Sequence, residues 1–198
     1  MNTILLIILS AVIGYLLGSA NSSLIVGIFF GVDVRQHGSG NAGMTNVLRT
    51  IGKTAALLVL AGDVLKGVLS CLIGSYLAGD IGLIIGGTAA VIGHNWPVYF
   101  GFRGGKGALT SIAVVFMMDW KIALIILGIF LITVAATRFV SLGSILGSAA
   151  FPIISIIFEK SAVFIAFAAV IGILAIARHH SNIGRLLKGT ESKLGVKK

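Results

Sequence analysis

The residues best equipped for chemistry lie between Gly93 and Thr110, in the run G-H-N-W-P-V-Y-F-G-F-R-G-G-K-G-A-L-T. His94 is followed within fourteen residues by Gly101, Gly104, Gly105 and Gly107, with Arg103 and Lys106 set among them and the Thr110 hydroxyl closing the run. Glycines let backbone N–H groups turn toward an oxyanion without a Cβ in the way. The guanidinium adds a fork of donors and the ammonium a point charge. That combination suits a phosphate ester better than a neutral ligand. A plain glycine-rich turn between helices is the competing reading of this run alone.

Two familiar phosphate motifs are excluded by spacing. A Walker loop requires a glycine five residues before its Gly-Lys pair and a hydroxyl residue after the lysine. Phe100 and Gly107 occupy those places, and the pair Gly52-Lys53 has Val47 where the first glycine belongs. Gly38, Gly40 and Gly43 spell G-x-G-x-x-G, but a dinucleotide site needs a βαβ unit around it. Here apolar helix flanks the motif on both sides.

The elements that must position these loops are set by composition. Of 198 residues, 57% are hydrophobic and 11% charged, with a mean hydropathy of +1.08. Soluble domains carry roughly 25% charged residues, so the chain reads as an all-α integral membrane protein and one membrane-embedded domain, 1–198. The single cysteine, Cys71, offers no disulfide. A net charge of +9 in such a chain marks the cytoplasmic side rather than nucleic acid.

Seven apolar segments follow in order: about 3–30, 54–78, 81–93, 108–118, 122–137, 139–158 and 162–177. The first lacks the basic start of a secretory signal and reads as a retained helix. Asn21, Ser22 and Ser23 interrupt its second half. The second carries Asp63 and Lys66, at i and i+3 on one helical face, where they pair with each other or face a polar interior. The third and fourth are short enough to be re-entrant, which would leave the remaining topology unchanged. About seven transmembrane helices is the working expectation.

Orientation follows from the cations. Twelve fall in one set of loops (Arg35, Arg49, Lys53, Arg103, Lys106, Arg138, Arg178, Arg185, Lys188, Lys193, Lys197 and Lys198), and only Lys121 and Lys160 in the other. By the positive-inside rule the N-terminus lies outside and the C-terminus in the cytoplasm.

Three further polar runs share the cation-rich side. Residues 37–49 read H-G-S-G-N-A-G-M-T-N-V-L-R, offering Ser39, Asn41, Thr45 and Asn46 as short hydrogen-bonding groups beside Gly38, Gly40 and Arg49. A turn at 138–142 contains Ser141, and residues 178–188 read R-H-H-S-N-I-G-R-L-L-K. If the latter is helical, His179 and Asn182 share a face, and Ile183, Leu186 and Leu187 form an interfacial stripe. On this side or within the membrane the acids number three, Asp33, Asp63 and Glu191, too few and scattered for a metal cage. No metal and no cofactor are expected.

Together the four runs resemble the bacterial acyl-phosphate-dependent glycerol-3-phosphate acyltransferases, the PlsY family, over essentially the whole chain. G-S-G-N-x-G-x-T-N, G-H-N-W-P-V-Y-F-G-F-R-G-G-K-G, the Ser141-Leu142 turn and R-H-H-x-N-I-x-R-L-L match in order and spacing. The departures are Ala42 for a usual proline, Met44 for alanine, Val140 for serine and Arg103 for lysine. The resemblance implies acyl transfer from an acyl phosphate to the 1-hydroxyl of glycerol 3-phosphate, giving lysophosphatidic acid. The expected partners are those two substrates and the lipid bilayer, with no nucleic acid and no obligate protein partner. The expected location is the bacterial plasma (inner) membrane, with the site facing the cytoplasm.

The resemblance assigns the Gly101–Gly107 loop to glycerol 3-phosphate. It marks Ser39 and Arg49 as important in the first loop, His179 and Asn182 near the C-terminus, and Glu191 as structural. On this reading Lys106 and Arg49 hold phosphates, and Ser39 or Asn46 donates to the acyl phosphate. Either His179 or the substrate's own phosphate takes the hydroxyl proton. The dyad of acyl-thioester acyltransferases, His-x₄-Asp, is absent: Ala42, Tyr99, Gly184 and Arg185 stand five residues after the four histidines. A small transporter of phosphorylated metabolites is the alternative of another class. Transporters commonly show two related halves, and neither glycine-rich run has a second copy.

Overall fold

The structure, a computed structural model, describes residues 2–195; Lys197 and Lys198, counted among the cytoplasmic cations, lie outside them. The described residues contain helices and no strands, and they divide into two compact units, Met1–Met118 and Asp119–Lys198.

The first unit holds α1 (Thr3–Ser19), α2 (Ser22–Phe29), α3 (Met44–Thr50), α4 (Lys53–Asn95), a 3-10 turn at Val98–Phe100 and α5 (Ala108–Met118). The apolar run expected as one helix over 3–30 breaks at Ala20–Asn21. The Asn21 Oδ1 accepts the Leu24 N–H at 3.2 Å and restarts the helix as its N-cap. A short amide side chain competing for backbone groups is a sufficient cause.

α4 joins the segments expected at 54–78 and 81–93, but it is not one straight rod. Ala78 and Gly79 leave helical geometry, Gly79 at φ 59° and ψ −144°. Beyond them the chain doubles back: a Cβ at Gly74 would overlap the Gly82 carbonyl, and one at Gly82 the Gly74 carbonyl. The 53–77 and 80–95 arms therefore form an antiparallel hairpin whose backbones touch, as small residues permit between membrane helices. α1 runs alongside the second arm through the same device, Gly14 on Gly86, Gly18 on Ala90 and Gly93 on Tyr15. α5 lies against both arms, with Gly67 at Thr110 and Ala113, and Gly87 at Val114.

The second unit comprises α6 (Trp120–Thr137), α7 (Val140–Ile157), α8 (Ala162–Arg178) and α9 (His180–Leu187). Asp119 caps α6 by accepting the Lys121 and Ile122 N–H groups. Phe151, Phe164 and Phe167 meet edge to face at 5.7–6.1 Å between ring centroids, joining α7 to α8. Pro152 has no N–H for the Ser148 carbonyl one turn back, and Gly172 of α8 packs on that carbonyl.

Among the described residues four helices or joined helices are long and apolar enough to cross a membrane, and a fifth counts if α8 and α9, bent by 57°, form one span. The Lys53–Phe100 stretch enters that count once, by length, although the chain reverses at Gly79. α5, eleven residues, reaches about 16 Å at 1.5 Å per residue, short of a hydrocarbon core of roughly 30 Å.

Candidate active site

In the first unit, residues 30–43 form a loop without a helix of its own, and Asn46 holds it. The buried Asn46 amide donates to the carbonyls of Val34 (2.8 Å) and His37 (3.0 Å), while its Oδ1 accepts the Ser39 N–H at 2.9 Å. Both donors and one acceptor position are thus engaged in the loop's own architecture. Asn46 builds the loop, which corrects the expectation that it donates to a substrate. Gly38 (φ 62°) and Gly40 (φ 70°) make the turn on either side of Ser39. A side chain at Gly38 would overlap Asn46 Oδ1. Ser39 and Arg49 are exposed, and Asn41 and Thr45 half-buried.

Asp33 and Arg35 pair at the start of this loop, Nε to Oδ1 at 3.0 Å. The hydrogen bonds and charge of Arg35 overcome the small cost of burial and lower the Asp33 carboxyl to about 2. The Arg35 guanidinium also donates to the Phe100 carbonyl at 3.4 Å, reaching the second glycine-rich loop.

That second loop folds back over the end of α4. Gly101 (φ 63°), Phe102 (φ 60°) and Gly107 (φ 75°) take left-handed geometry. The Gly104 N–H donates to the Asn95 carbonyl at 3.3 Å and the Gly105 N–H to the His94 carbonyl at 3.1 Å. These two N–H groups cap the helix. The reason for glycine at 104 and 105 is therefore close approach: a Cβ at 104 would overlap the His94 carbonyl, and one at 105 would overlap His94 Nε2 and the Ala42 carbonyl. Gly105 is where the two glycine-rich loops touch. Arg103 is exposed and Lys106 half-buried on this loop. Thr110 is fully buried and donates to the Asp63 carbonyl at 3.3 Å, inside the helix packing. That hydroxyl belongs to the α4–α5 contact, a correction to its placement on the ligand-facing loop.

His94 is 3% exposed beneath this loop. Lys66 Nζ lies 2.8 Å from its Nδ1 and 2.8 Å from Asp63 Oδ1, with His94 Nδ1 3.4 Å from the same carboxylate oxygen. The i, i+3 spacing of Asp63 and Lys66 anticipated their pairing. The sequence carried no sign that His94, 28 residues on, completes the group.

The second unit gathers the C-terminal residues. His179, 4% exposed, sits at the bend between α8 and α9, its Nδ1 2.7 Å from the Ala175 carbonyl. A carbonyl only accepts, so Nδ1 carries a proton at this contact. Asn182, one turn into α9, donates to Glu191 Oε1 at 2.7 Å. Ser141 donates to the same oxygen at 2.9 Å, and Arg185 Nε to Oε2 at 2.6 Å. Burial alone would raise the Glu191 pKa. The hydrogen bonds from Asn182, Arg185 and Ser141, with the Arg185 charge, outweigh it and hold the carboxyl below the usual glutamate range. The pairing of Arg185 with Glu191 is not legible in the sequence, because only the folded tail brings Glu191 within reach. Among the described residues no three His, Cys, Asp or Glu side chains gather as a metal site.

Comparison with known proteins agrees with this arrangement of loops. A family profile described as glycerol-3-phosphate acyltransferase matches residues 8–189. A glycerol-3-phosphate acyltransferase of Thermoanaerobacter sp. (strain X514) is 50% identical over 191 residues, covering 96% of each chain. One from Clostridioides difficile (strain 630) is 46% identical over 198 residues, covering 96% of this chain and 97% of the relative. The crystal structure of PlsY, an integral membrane glycerol 3-phosphate acyltransferase, superposes in its glycerol 3-phosphate form with a TM-score of 0.91 at 38% identity over 96% of both chains. Its lysophosphatidic acid form gives 0.88 at the same identity, over 96% of this chain and 95% of that one. With four motifs in register, a profile spanning the chain and a shared helical fold, this protein belongs to the glycerol-3-phosphate acyltransferase (PlsY) family.

Proposed function

We propose that this chain transfers the acyl group of an acyl phosphate to the 1-hydroxyl of glycerol 3-phosphate, yielding lysophosphatidic acid and phosphate, the first acylation of phospholipid synthesis. The observation that carries the reading is the meeting of two glycine-rich loops at Gly105 and Ala42, one presenting Ser39 and the other Lys106 and Arg103. Both substrates are phosphate esters or anhydrides, and two loops of this kind accommodate two phosphates. Relatives carrying this name, and a PlsY structure in glycerol 3-phosphate and lysophosphatidic acid forms, support it.

An acyl phosphate is a mixed anhydride with a good leaving group, so the protein's task is positioning and stabilising the oxyanion. The glycerol hydroxyl oxygen bonds to the acyl carbon, the bond from that carbon to the phosphate oxygen breaks, and phosphate departs. Ser39 donates to the acyl phosphate, and Lys106 and Arg49 hold phosphate groups. Gly101, Gly104, Gly105 and Gly107 shape the loop for glycerol 3-phosphate. His179 and Asn182 are assigned to the reaction on the resemblance of R-H-H-x-N. His179, or the substrate's own phosphate, takes the hydroxyl proton. Asn182 and Ser141 orient through Glu191. Residues 1–198 are read as one multi-pass acyltransferase domain in the bacterial plasma membrane, its loops of twelve cations in the cytoplasm.

The deciding experiment is turnover by purified protein in detergent, where no compartments exist, with acyl phosphate and acyl thioester compared as donors. Lysophosphatidic acid formed from acyl phosphate alone is the expected result. No product from either donor would return the transporter alternative to the front.

A further inference from the structure

The buried Asp63–Lys66–His94 group lies within the first unit, beneath the second glycine-rich loop. Lys66 Nζ forms an ion pair with Asp63 Oδ1 at 2.8 Å, lies 2.8 Å from His94 Nδ1 and donates to the Ala20 carbonyl at 3.4 Å. An aliphatic amine holds a proton far more tightly than an imidazole. The hydrogen between Lys66 and His94 therefore belongs to Lys66, and Nδ1 accepts it. The 3.4 Å approach of Nδ1 to Asp63 Oδ1 is then two acceptors drawn together by a common ammonium. A neutral imidazole that accepts at Nδ1 carries its proton on Nε2.

Nε2 is the ring atom that reaches the loops. It lies against Gly105, beside the Ala42 carbonyl, where any Cβ at 105 would collide with both. Meanwhile the His94 carbonyl accepts the Gly105 N–H at 3.1 Å and the Asn21 amide at 3.3 Å. One residue is thus clamped at its ring by Lys66 and at its backbone by Gly105 and Asn21. We propose that Lys66, balanced by Asp63, is a positioning residue that fixes His94 in its Nε2–H form, and that this N–H sets the Gly104–Lys106 loop against the Ala42 backbone. The inference rests on the acyltransferase reading for its kinetic consequence, because that loop is the one assigned to glycerol 3-phosphate. The charge pair has a second consequence: truncating Lys66 alone buries an unpaired carboxylate, so a paired apolar replacement is the cleaner probe.

The test joins a spectroscopic and a kinetic arm on the full chain in detergent micelles. In ¹⁵N-histidine-labelled protein, the resonances that His94→Gln removes should show a bare Nδ1 and a protonated Nε2. The double variant Lys66→Met/Asp63→Leu should lose that tautomer preference and raise KM for glycerol 3-phosphate about tenfold, with KM for acyl phosphate little changed. His94→Gln, whose amide N–H overlays Nε2, should raise KM for glycerol 3-phosphate less than His94→Asn, whose amide overlays Nδ1. A wild-type His94 protonated on Nδ1, or equal KM in the Gln and Asn variants, would overturn the proposal. If the double variant does not fold, the wild-type tautomer decides alone. Wild-type protein that makes no lysophosphatidic acid would count against the acyltransferase reading, and the tautomer would still be measured independently.

Discussion

Asn46 reaches back seven residues to take the Ser39 N–H on its Oδ1 at 2.9 Å, while its two amide hydrogens are spent on Val34 and His37. One buried side chain, from the first turns of α3, therefore decides where the exposed Ser39 stands. Loop and helix are coupled at that amide, and the first prediction tests the coupling.

Asn46→Asp keeps an acceptor for Ser39 and deletes both donors, leaving the Val34 and His37 carbonyls without them. Losing such buried partners costs about 1–3 kcal/mol, so kcat/KM for acyl phosphate should fall on the order of ten- to a hundredfold. Steady-state kinetics check this. Unchanged kinetics would mean that Ser39 is placed by something other than Asn46.

Gly105→Ala and Lys106→Ala should part company. The first drives a methyl into His94 Nε2 and the Ala42 carbonyl, an overpacking fault of about 1–3 kcal/mol. It should lower Tm and weaken glycerol 3-phosphate together. Lys106→Ala removes the cation without adding bulk and should raise KM for glycerol 3-phosphate by the equivalent of about 1.5–3 kcal/mol, with a smaller loss of Tm than Gly105→Ala. Thermal unfolding beside kinetics separates them, and equal Tm losses in both would refute the distinction.

Glu191 makes stability in the second unit depend on pH. Its carboxyl is held below the ordinary value, so the charged form binds Asn182, Arg185 and Ser141 better than the protonated form does. The stabilisation is fully present above the unfolded pKa of about 4.3 and is lost as pH falls through the lower folded value. Wild-type protein should exceed Glu191→Gln in thermal stability near neutrality, and the gap should close on acidification. A gap that widens toward low pH would reverse the sign.

Direct transfer to the acceptor predicts no acyl-enzyme. Incubated with acyl phosphate and no glycerol 3-phosphate, the intact protein should keep its bare mass in mass spectrometry, and activity should persist in excess chelator. An acyl group on Ser39 would make the enzyme two-step.

The twelve-to-two division of cations predicts that a reporter after Lys198 lies in the cytoplasm and one near Lys160 lies outside. Both reporters on one side would show that the one segment between them, 162–177, does not span.

What the sequence determined by itself was everything set by composition and by local spacing. Apolar runs with few charges dictate helices in lipid, because backbone polar groups have no other partner there. Gly38 and Gly40 beside Ser39 sit at positive φ, a freedom that glycine gives to loops. The pairing of Asp63 with Lys66, three residues apart, was equally local. The tertiary structure decided the rest, because it concerns atoms far apart in the chain. Gly104 and Gly105 read as an anion cradle until α4 arrived beneath them and took their N–H groups. Asn46 and Thr110 read as ligand donors until Val34, His37 and Asp63 supplied carbonyls to satisfy them. Hydrogen-bonding capacity is written in each side chain, but which partner consumes it depends on packing across dozens of residues, as His94 shows by meeting Lys66.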